Sequence, residues 1–216
     1  MSAADLFSTL SAISGIIPVL AALYNYRQLD KVLKIASLYF LASLLSDLLL
    51  QVTKRIEALH MANNWPLIHI YIVVSILLLA AMYYYAFFNP LIKKIIVIIT
   101  SFVLAVVLVN IIFIEGLWDY PSISNTTLCV MVICFSLAYF YQLLTRQEFV
   151  HIEKQGLFWI NAGMLFYFST NIFLFMLFKR ILLAHLEDYY MINNVTNIIS
   201  NILFTVGLLC RPQKVT

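Results

Sequence analysis

The fold is decided by residues 92–114, which read IKKIIVIITSFVLAVVLVNIIFI. After Lys94 this stretch has no charged side chain as far as Ile114. Roughly 20 apolar residues are enough for a helix to cross the hydrocarbon core of a bilayer. The stretch is also too long and too evenly apolar for a barrel strand, in which apolar and polar residues alternate over about ten positions. It therefore predicts a transmembrane helix.

Six further apolar stretches fill most of the remaining chain. The seven predicted spans are residues 6–25, 33–53, 66–88, 92–114, 126–145, 157–178 and 189–210. Of the 216 residues, 63% are hydrophobic and only 11% are charged, whereas soluble domains are about a quarter charged. We predict an all-α integral membrane bundle of about seven transmembrane helices, forming a single domain over residues 1–216. The loops are too short for a soluble catalytic or DNA-binding domain, and the net charge of +3 does not indicate nucleic acid.

The distribution of lysine and arginine predicts the orientation, because cytoplasmic loops are enriched in both residues. With the N-terminus outside and the C-terminus in the cytoplasm, nine of the 13 basic residues fall on the inner side. These nine are Arg27, Lys31, Lys34, Lys93, Lys94, Arg146, Lys154, Arg211 and Lys214. Within the first span, Pro18 predicts a kink. Near the inner end of the third span, Tyr83, Tyr84 and Tyr85 are interpreted as part of an interfacial aromatic belt.

Asp47 is the one acidic residue well inside a predicted span. A charged side chain at bilayer depth costs about 2.5–3.5 kcal/mol on insertion scales, so it is expected to face the bundle interior. Ser43, Asp47 and Gln51 are spaced four residues apart and share one helix face. In the predicted orientation, Asp47 lies ~9 Å below the outer end of its helix.

Polar residues from other spans reach a similar depth in the outer half of the membrane. The candidate ligand-binding residues are Asp47, Gln51, His69, Asn110, Asn171, Asn194, Asn197 and Asn201. Asn194, Asn197 and Asn201 share a face of the last helix, and Tyr71, Tyr167 and Tyr190 are further candidates for lining the same pocket. Two interpretations stay open for this polar layer: a pocket for a ligand, or hydrogen bonds that hold the helices together. Asp47 and His69 could also pair, either as a proton-sensitive element or as a static brace.

Several chemistries lack the residues that they require. The last span contains no lysine to carry a retinal Schiff base, and no cofactor is predicted. A membrane metallohydrolase needs about three converging histidine or carboxylate ligands, and the four histidines show no such spacing. We therefore predict no catalytic and no metal-binding residues and a function that is not enzymatic. Lipid hydrolysis stays a minor alternative, for which His69, His185 and Asp47 would have to approach one another.

Residues 158–175 read FWINAGMLFYFSTNIFLF and precede an asparagine-rich last helix. Over residues 157–210 this pattern resembles small seven-span membrane proteins of Bacteroidetes and the membrane-sensing regions of some histidine kinases there. The resemblance implies a membrane sensor or accessory protein and a location in a bacterial inner membrane. It does not indicate which ligand is sensed.

These observations favour a multi-pass receptor or sensor. A small or lipid-like ligand would bind in the outer-leaflet polar pocket, and a cytoplasmic or membrane partner would carry the signal onward. A small transporter or an oligomeric channel is the second hypothesis. A packing subunit of a larger membrane complex is another, with the polar layer serving only to join helices.

Overall fold

The computed structural model describes residues 3–57, 64–145, 154–183 and 190–210, in which every regular element is helical. The α-helices are α1 (Ala3–Ser14), α2 (Ile16–Asn25), α3 (Lys31–Glu57), α4 (Trp65–Ala86), α5 (Pro90–Val109), α6 (Ser122–Thr145), α7 (Gly156–Leu183) and α8 (Tyr190–Leu209). A π-helical turn, Asn110–Ile114, continues α5.

These helices confirm the predicted all-α bundle of seven membrane spans. In the described residues, seven helical segments are long and apolar enough to cross a bilayer, with α1 and α2 together forming the first. Only 22% to 39% of each span is buried inside the protein. Most of the apolar surface therefore faces outward, where lipid must cover it. The chain is a multi-pass integral membrane protein.

The first span is interrupted at Gly15, three residues before Pro18. Proline has no backbone N–H, so the carbonyl of Ser14 loses the donor that it would normally find four residues later. Gly15 keeps a helical backbone, with φ −64° and ψ −21°. The predicted kink therefore takes the form of a short break between α1 and α2.

Helices α7 and α8 form the most extensive contact in the bundle, and glycines allow their close approach. A Cβ atom added to Gly207 would lie 2.6 Å from the carbonyl oxygen of Gly156 and 2.8 Å from a side-chain carbon of Ile160. At Gly163, an added Cβ would lie 2.6 Å from the ring of Phe204. Small residues at such contacts are typical of membrane helices, whose association depends on close van der Waals packing.

A second contact region joins α4, α6 and α7 through buried polar groups. The Tyr83 hydroxyl lies 2.7 Å from Ser136 Oγ and donates a 2.7 Å hydrogen bond to Asn161 Oδ1. Asn161 Nδ2 in turn donates to the Ser136 carbonyl at 3.1 Å. Tyr83, Ser136 and Asn161 are completely buried. The interpretation of Tyr83 as a belt residue is therefore wrong, because its side chain is buried and its hydroxyl forms hydrogen bonds between helices.

Lysines and tyrosines occupy the end of the bundle where α3 and α5 begin. Lys31 Nζ lies 3.6 Å from the centre of the Tyr85 ring, and Lys93 Nζ lies 5.4 Å from the Tyr84 ring. The two tyrosine rings contact each other edge to face, with centres 5.3 Å apart. This arrangement is typical of a membrane interface, where aromatic rings lie at the level of the headgroups.

Candidate functional site

A polar cavity of about 40 Å³ lies among α3, α4, α7, α8 and the break in the first span. Its lining residues are Gly15, Tyr39, Phe40, Ser43, Leu44, Asp47, Tyr71, Tyr167, Asn197, Asn201 and Phe204. We call this space the Asp47 cavity. Residues from both ends of the sequence meet there because α8 packs against α1 and α2, while α2 packs against α3.

Helix α3 contributes one continuous face to the Asp47 cavity. Tyr39, Ser43 and Asp47 recur every four residues, so their side chains lie one above another. The Tyr71 hydroxyl of α4 donates to Ser43 Oγ at 3.3 Å. Tyr39 and Tyr71 also interact through their hydroxyls, and Asp47 lies within electrostatic range of both.

Helix α8 contributes two amides that are anchored to α1. Asn197 Nδ2 donates to Ser11 Oγ at 2.8 Å, and Asn201 Nδ2 donates to Ser14 Oγ at 2.9 Å. The Ser14 hydroxyl donates its own hydrogen to the Ser11 carbonyl at 2.7 Å. These contacts hold the first and last spans together beside the cavity.

One side of the cavity is closed by aromatic rings. Phe40 and Phe204 stack with their ring centres 4.5 Å apart. Phe40 precedes Asp47 by two helical turns on α3, and Phe204 follows Asn201 by about one turn on α8. The polar lining therefore ends at this pair, on the side that the predicted orientation assigns to the cytoplasm.

Tyr167, a candidate from the sequence, also lines the cavity, and its hydroxyl donates to Asn193 Oδ1 at 3.2 Å. Asn194 is half-buried and Gln51 is exposed, and neither lines the cavity. The side chain of Tyr190 lies outside the described residues. Gln51 continues the spacing of Ser43 and Asp47, but α3 has by then passed beyond the cavity.

His69 does not line the cavity, although only 2% of its surface is exposed. Its Nε2 atom lies 3.3 Å from the Asp119 carbonyl oxygen, and its Nδ1 atom is buried without a hydrogen-bond partner. The Asp47–His69 pair considered from the sequence therefore does not form. The imidazole of α4 instead contacts the segment that precedes α6.

Asn110 belongs to a separate polar cluster at the π-helical turn. Its Nδ2 atom donates to Glu115 Oε2 at 2.7 Å and to Ser124 Oγ at 2.9 Å. Both Glu115 carboxylate oxygens also lie 3.3 Å from the backbone nitrogen of Ile123, in the first turn of α6. This cluster joins α5 to α6 outside the Asp47 cavity.

Asn171 lies in the contact between α7 and α8. Its Nδ2 atom donates to Thr196 Oγ1 at 2.8 Å and to the Tyr167 carbonyl at 2.9 Å. The residue is completely buried and does not line the cavity. Its contacts are those expected of a polar residue that holds two membrane helices together.

Three of the eight candidate residues, Asp47, Asn197 and Asn201, therefore share one cavity. Sequence reasoning missed Tyr39, and it missed the anchoring serines Ser11 and Ser14. The spacing of Tyr39 four residues before Ser43 was an available signal. The serines carry a weaker signal, because hydroxyl groups in membrane helices often bond only to their own backbone.

The polar side chains that line the cavity carry mainly oxygen atoms. The described residues that line it supply one carboxylate, two carboxamides and several hydroxyls, and none of these described residues is a lysine, arginine or histidine. Among the described residues, no group of three or more histidine, cysteine, aspartate or glutamate side chains comes together. The arrangement suits the binding of a small polar or cationic species.

The sequence matches no protein-family model, no curated protein and no solved structure.

Proposed function

We propose that this chain is a non-enzymatic membrane receptor or sensor that binds a small hydrophilic ligand in the Asp47 cavity. One observation carries the proposal: Asp47 of α3 and the two anchored asparagines of α8 line the same cavity. Ionisable residues inside membrane spans are costly, and they commonly mark binding sites or ion pathways.

The size of the cavity supports a small ligand over a lipid-like one. About 40 Å³ is available, and one water requires roughly 10–15 Å³ by this measure. Pockets for drug-sized molecules are about 300–1,000 Å³. A ligand with the volume of a few waters fits without rearrangement, whereas a lipid chain would have to separate the helices.

The contacts around the cavity supply a route for a signal. Ser11 and Ser14 connect α8 to α1, and Gly15 at the break in the first span is itself part of the lining. A ligand that pulled Asp47 toward Asn197 and Asn201 would shift α3 relative to the first and last spans. The short inner loops would pass this shift to a cytoplasmic or membrane partner.

Ligand retention by the purified full chain tests the proposal. Native mass spectrometry from mild detergent should show a small bound species in the wild type that is absent from Asp47→Asn. Asp30→Asn is the matched control, because Asp30 caps α3 at its other end and asparagine caps helices equally well. An identical set of bound species in all three proteins would contradict the proposal.

A carrier is the second candidate, and the broken first span favours it. Transporters often bind substrate where a membrane helix is interrupted, and here the interruption at Gly15 lines the cavity. In a carrier, the stacked Phe40–Phe204 pair would have to separate to open the other side. Asp47-dependent uptake of radiolabelled sodium into proteoliposomes would favour a carrier, whereas binding without uptake would favour a sensor.

A further inference from the structure

We infer that the end of the bundle where α3 and α5 begin carries a binding site for the headgroup of an anionic phospholipid. The site consists of Lys31, Lys93, Tyr84 and Tyr85, which we call the lysine–tyrosine cluster. None of the four is among the described residues that line the Asp47 cavity. The lipid site is therefore independent of the proposed function.

The lysine–tyrosine cluster holds ammonium groups from two helices against neighbouring rings of a third. Lys31 of α3 places its Nζ atom 3.6 Å from the centre of the Tyr85 ring, and Lys93 of α5 places its Nζ atom 5.4 Å from the centre of the Tyr84 ring. The two rings, both on α4, are in contact, with their centres 5.3 Å apart. Both ammonium groups therefore belong to one cluster at the end of α4.

The ring contacts position the lysines and leave them able to bind an anion. A lysine ammonium has three N–H donors, and its attraction to a ring face is electrostatic, without an oxygen or nitrogen acceptor. A long side chain that is already held in place loses less conformational entropy when it binds a ligand. Tyr85 is exposed, and its hydroxyl is a further donor that a phosphate oxygen can accept.

An exposed apolar surface continues from the cluster into the membrane. On α3, Leu38 and Leu45 follow Lys31 at intervals of seven residues, so they lie on the same helix face, and both are exposed. On α4, the exposed Leu77 precedes Tyr84 by seven residues. A lipid whose phosphate binds the cluster can lay its acyl chains along this surface, whereas an inorganic anion gains nothing from it.

The charge of this side of the protein favours an anionic lipid over a zwitterionic one. Seven spans place alternate connections on the same side, and the whole sequence assigns nine basic residues to this side against three acidic ones, Asp30, Glu148 and Glu153. The Asp30 carboxylate accepts a hydrogen bond from the backbone N–H of Leu33 at 2.8 Å, at the start of α3. Basic clusters beside membrane helices are typical binding sites for anionic headgroups.

Lipid binding by the full chain tests this assignment. Native mass spectrometry from mild detergent measures the binding of dioleoyl phosphatidylglycerol and of dioleoyl phosphatidylcholine, which share their acyl chains. We expect the wild type to bind phosphatidylglycerol more tightly than phosphatidylcholine. Combining Lys31→Gln with Lys93→Gln should weaken phosphatidylglycerol binding by at least about fivefold, which is the contribution of one basic residue near an anionic lipid surface.

A second double variant separates the cluster from the general charge of this side. Lys94→Gln with Lys154→Gln removes the same charge at two other exposed positions and leaves the cluster intact. In about 0.15 M ammonium acetate, exposed charges more than ~8 Å apart are largely screened, so this control should bind phosphatidylglycerol like the wild type. An equal loss in the two double variants would overturn the inference, as would equal binding of both lipids by the wild type.

Two further measurements test the chemistry of the cluster. Lys31→Arg with Lys93→Arg keeps the charge, the contact with phosphate and the stacking on aromatic rings, so it should retain binding. A loss as large as that of the glutamine variant would contradict the contacts assigned here. Sodium phosphate should not displace phosphatidylglycerol from the wild type, and displacement at equal concentration would assign the cluster to free phosphate instead of a lipid.

Discussion

The Tyr83 hydroxyl donates a 2.7 Å hydrogen bond to Asn161 Oδ1, joining α4 to α7 in the interior of the bundle. Ser136 of α6 completes the contact at 2.7 Å from the same hydroxyl. All three residues are completely buried, and no lining residue of the Asp47 cavity belongs to this group. The protein therefore contains polar contacts that only join helices, of which this is one, and a separate set of polar residues that surrounds a cavity.

Removing the Tyr83 hydroxyl should destabilise the bundle without affecting the cavity. Tyr83→Phe removes the hydroxyl that donates to Asn161 Oδ1 and contacts Ser136 Oγ, and leaving these buried atoms unpaired costs about 1–3 kcal/mol. Thermal unfolding in detergent measures the loss. Tyr85→Phe is the matched control, since Tyr85 is 41% exposed and phenylalanine keeps the ring over Lys31. Equal melting temperatures for the two variants would show that the buried hydrogen bonds contribute little.

Gly207→Ala should destabilise the contact between α7 and α8. The new methyl group would lie 2.6 Å from the Gly156 carbonyl oxygen, and overpacking of this kind costs about 1–3 kcal/mol. Gly15→Ala is the control, because its Cβ would meet its nearest atom at 3.5 Å, an ordinary contact. Unfolding temperatures should fall for the first variant only. A tolerated Gly207→Ala would mean that the two helices are farther apart.

Glu115→Ala should loosen the connection between α5 and α6. Glu115 accepts hydrogen bonds from Asn110 and from the first turn of α6, so its removal leaves Asn110 with Ser124 as its remaining acceptor. We expect a loss of about 1–2 kcal/mol, measured by unfolding. Glu115→Gln keeps an acceptor oxygen and should lose less, and the reverse ranking would contradict the assigned contacts.

The seven spans were predictable from the sequence because each depends only on a long apolar stretch. The grouping of Asp47 with Asn197 and Asn201 was partly predictable, since spacing determines which residues of one helix share a face. The contacts that His69, Asn110 and Asn171 make were not predictable. Each of the three finds a partner on a neighbouring helix or loop, and helix rotation about its axis is fixed by packing that a single sequence does not reveal.

Asn161 and Tyr83 form a polar contact that the sequence did not predict at all. Their positions in the predicted inner half suggested no polar contact, because Tyr83 stands in a run of three tyrosines that is typical of an interface. In the structure, Tyr83 is completely buried while Tyr85 is 41% exposed. Residues two apart on a helix point in different directions, so one can face the core and the other the lipid headgroups.

The predicted orientation can be tested by thiol labelling in a bacterial host after the three native cysteines are replaced. Leu117→Cys precedes α6, and Gln28→Cys lies between α2 and α3, and both positions are exposed. A reagent that does not cross membranes should label Leu117→Cys in intact spheroplasts and Gln28→Cys only after lysis. The opposite pattern would place the N-terminus in the cytoplasm.

An experimental structure of the detergent-purified chain, at a resolution that shows ordered waters and ions, tests the central claim most directly. We predict a bound species in the Asp47 cavity that contacts Asp47, Asn197 and Asn201. A cavity closed by packed side chains, with no bound species, would contradict the claim. The polar residues around Asp47 would then only hold the helices together.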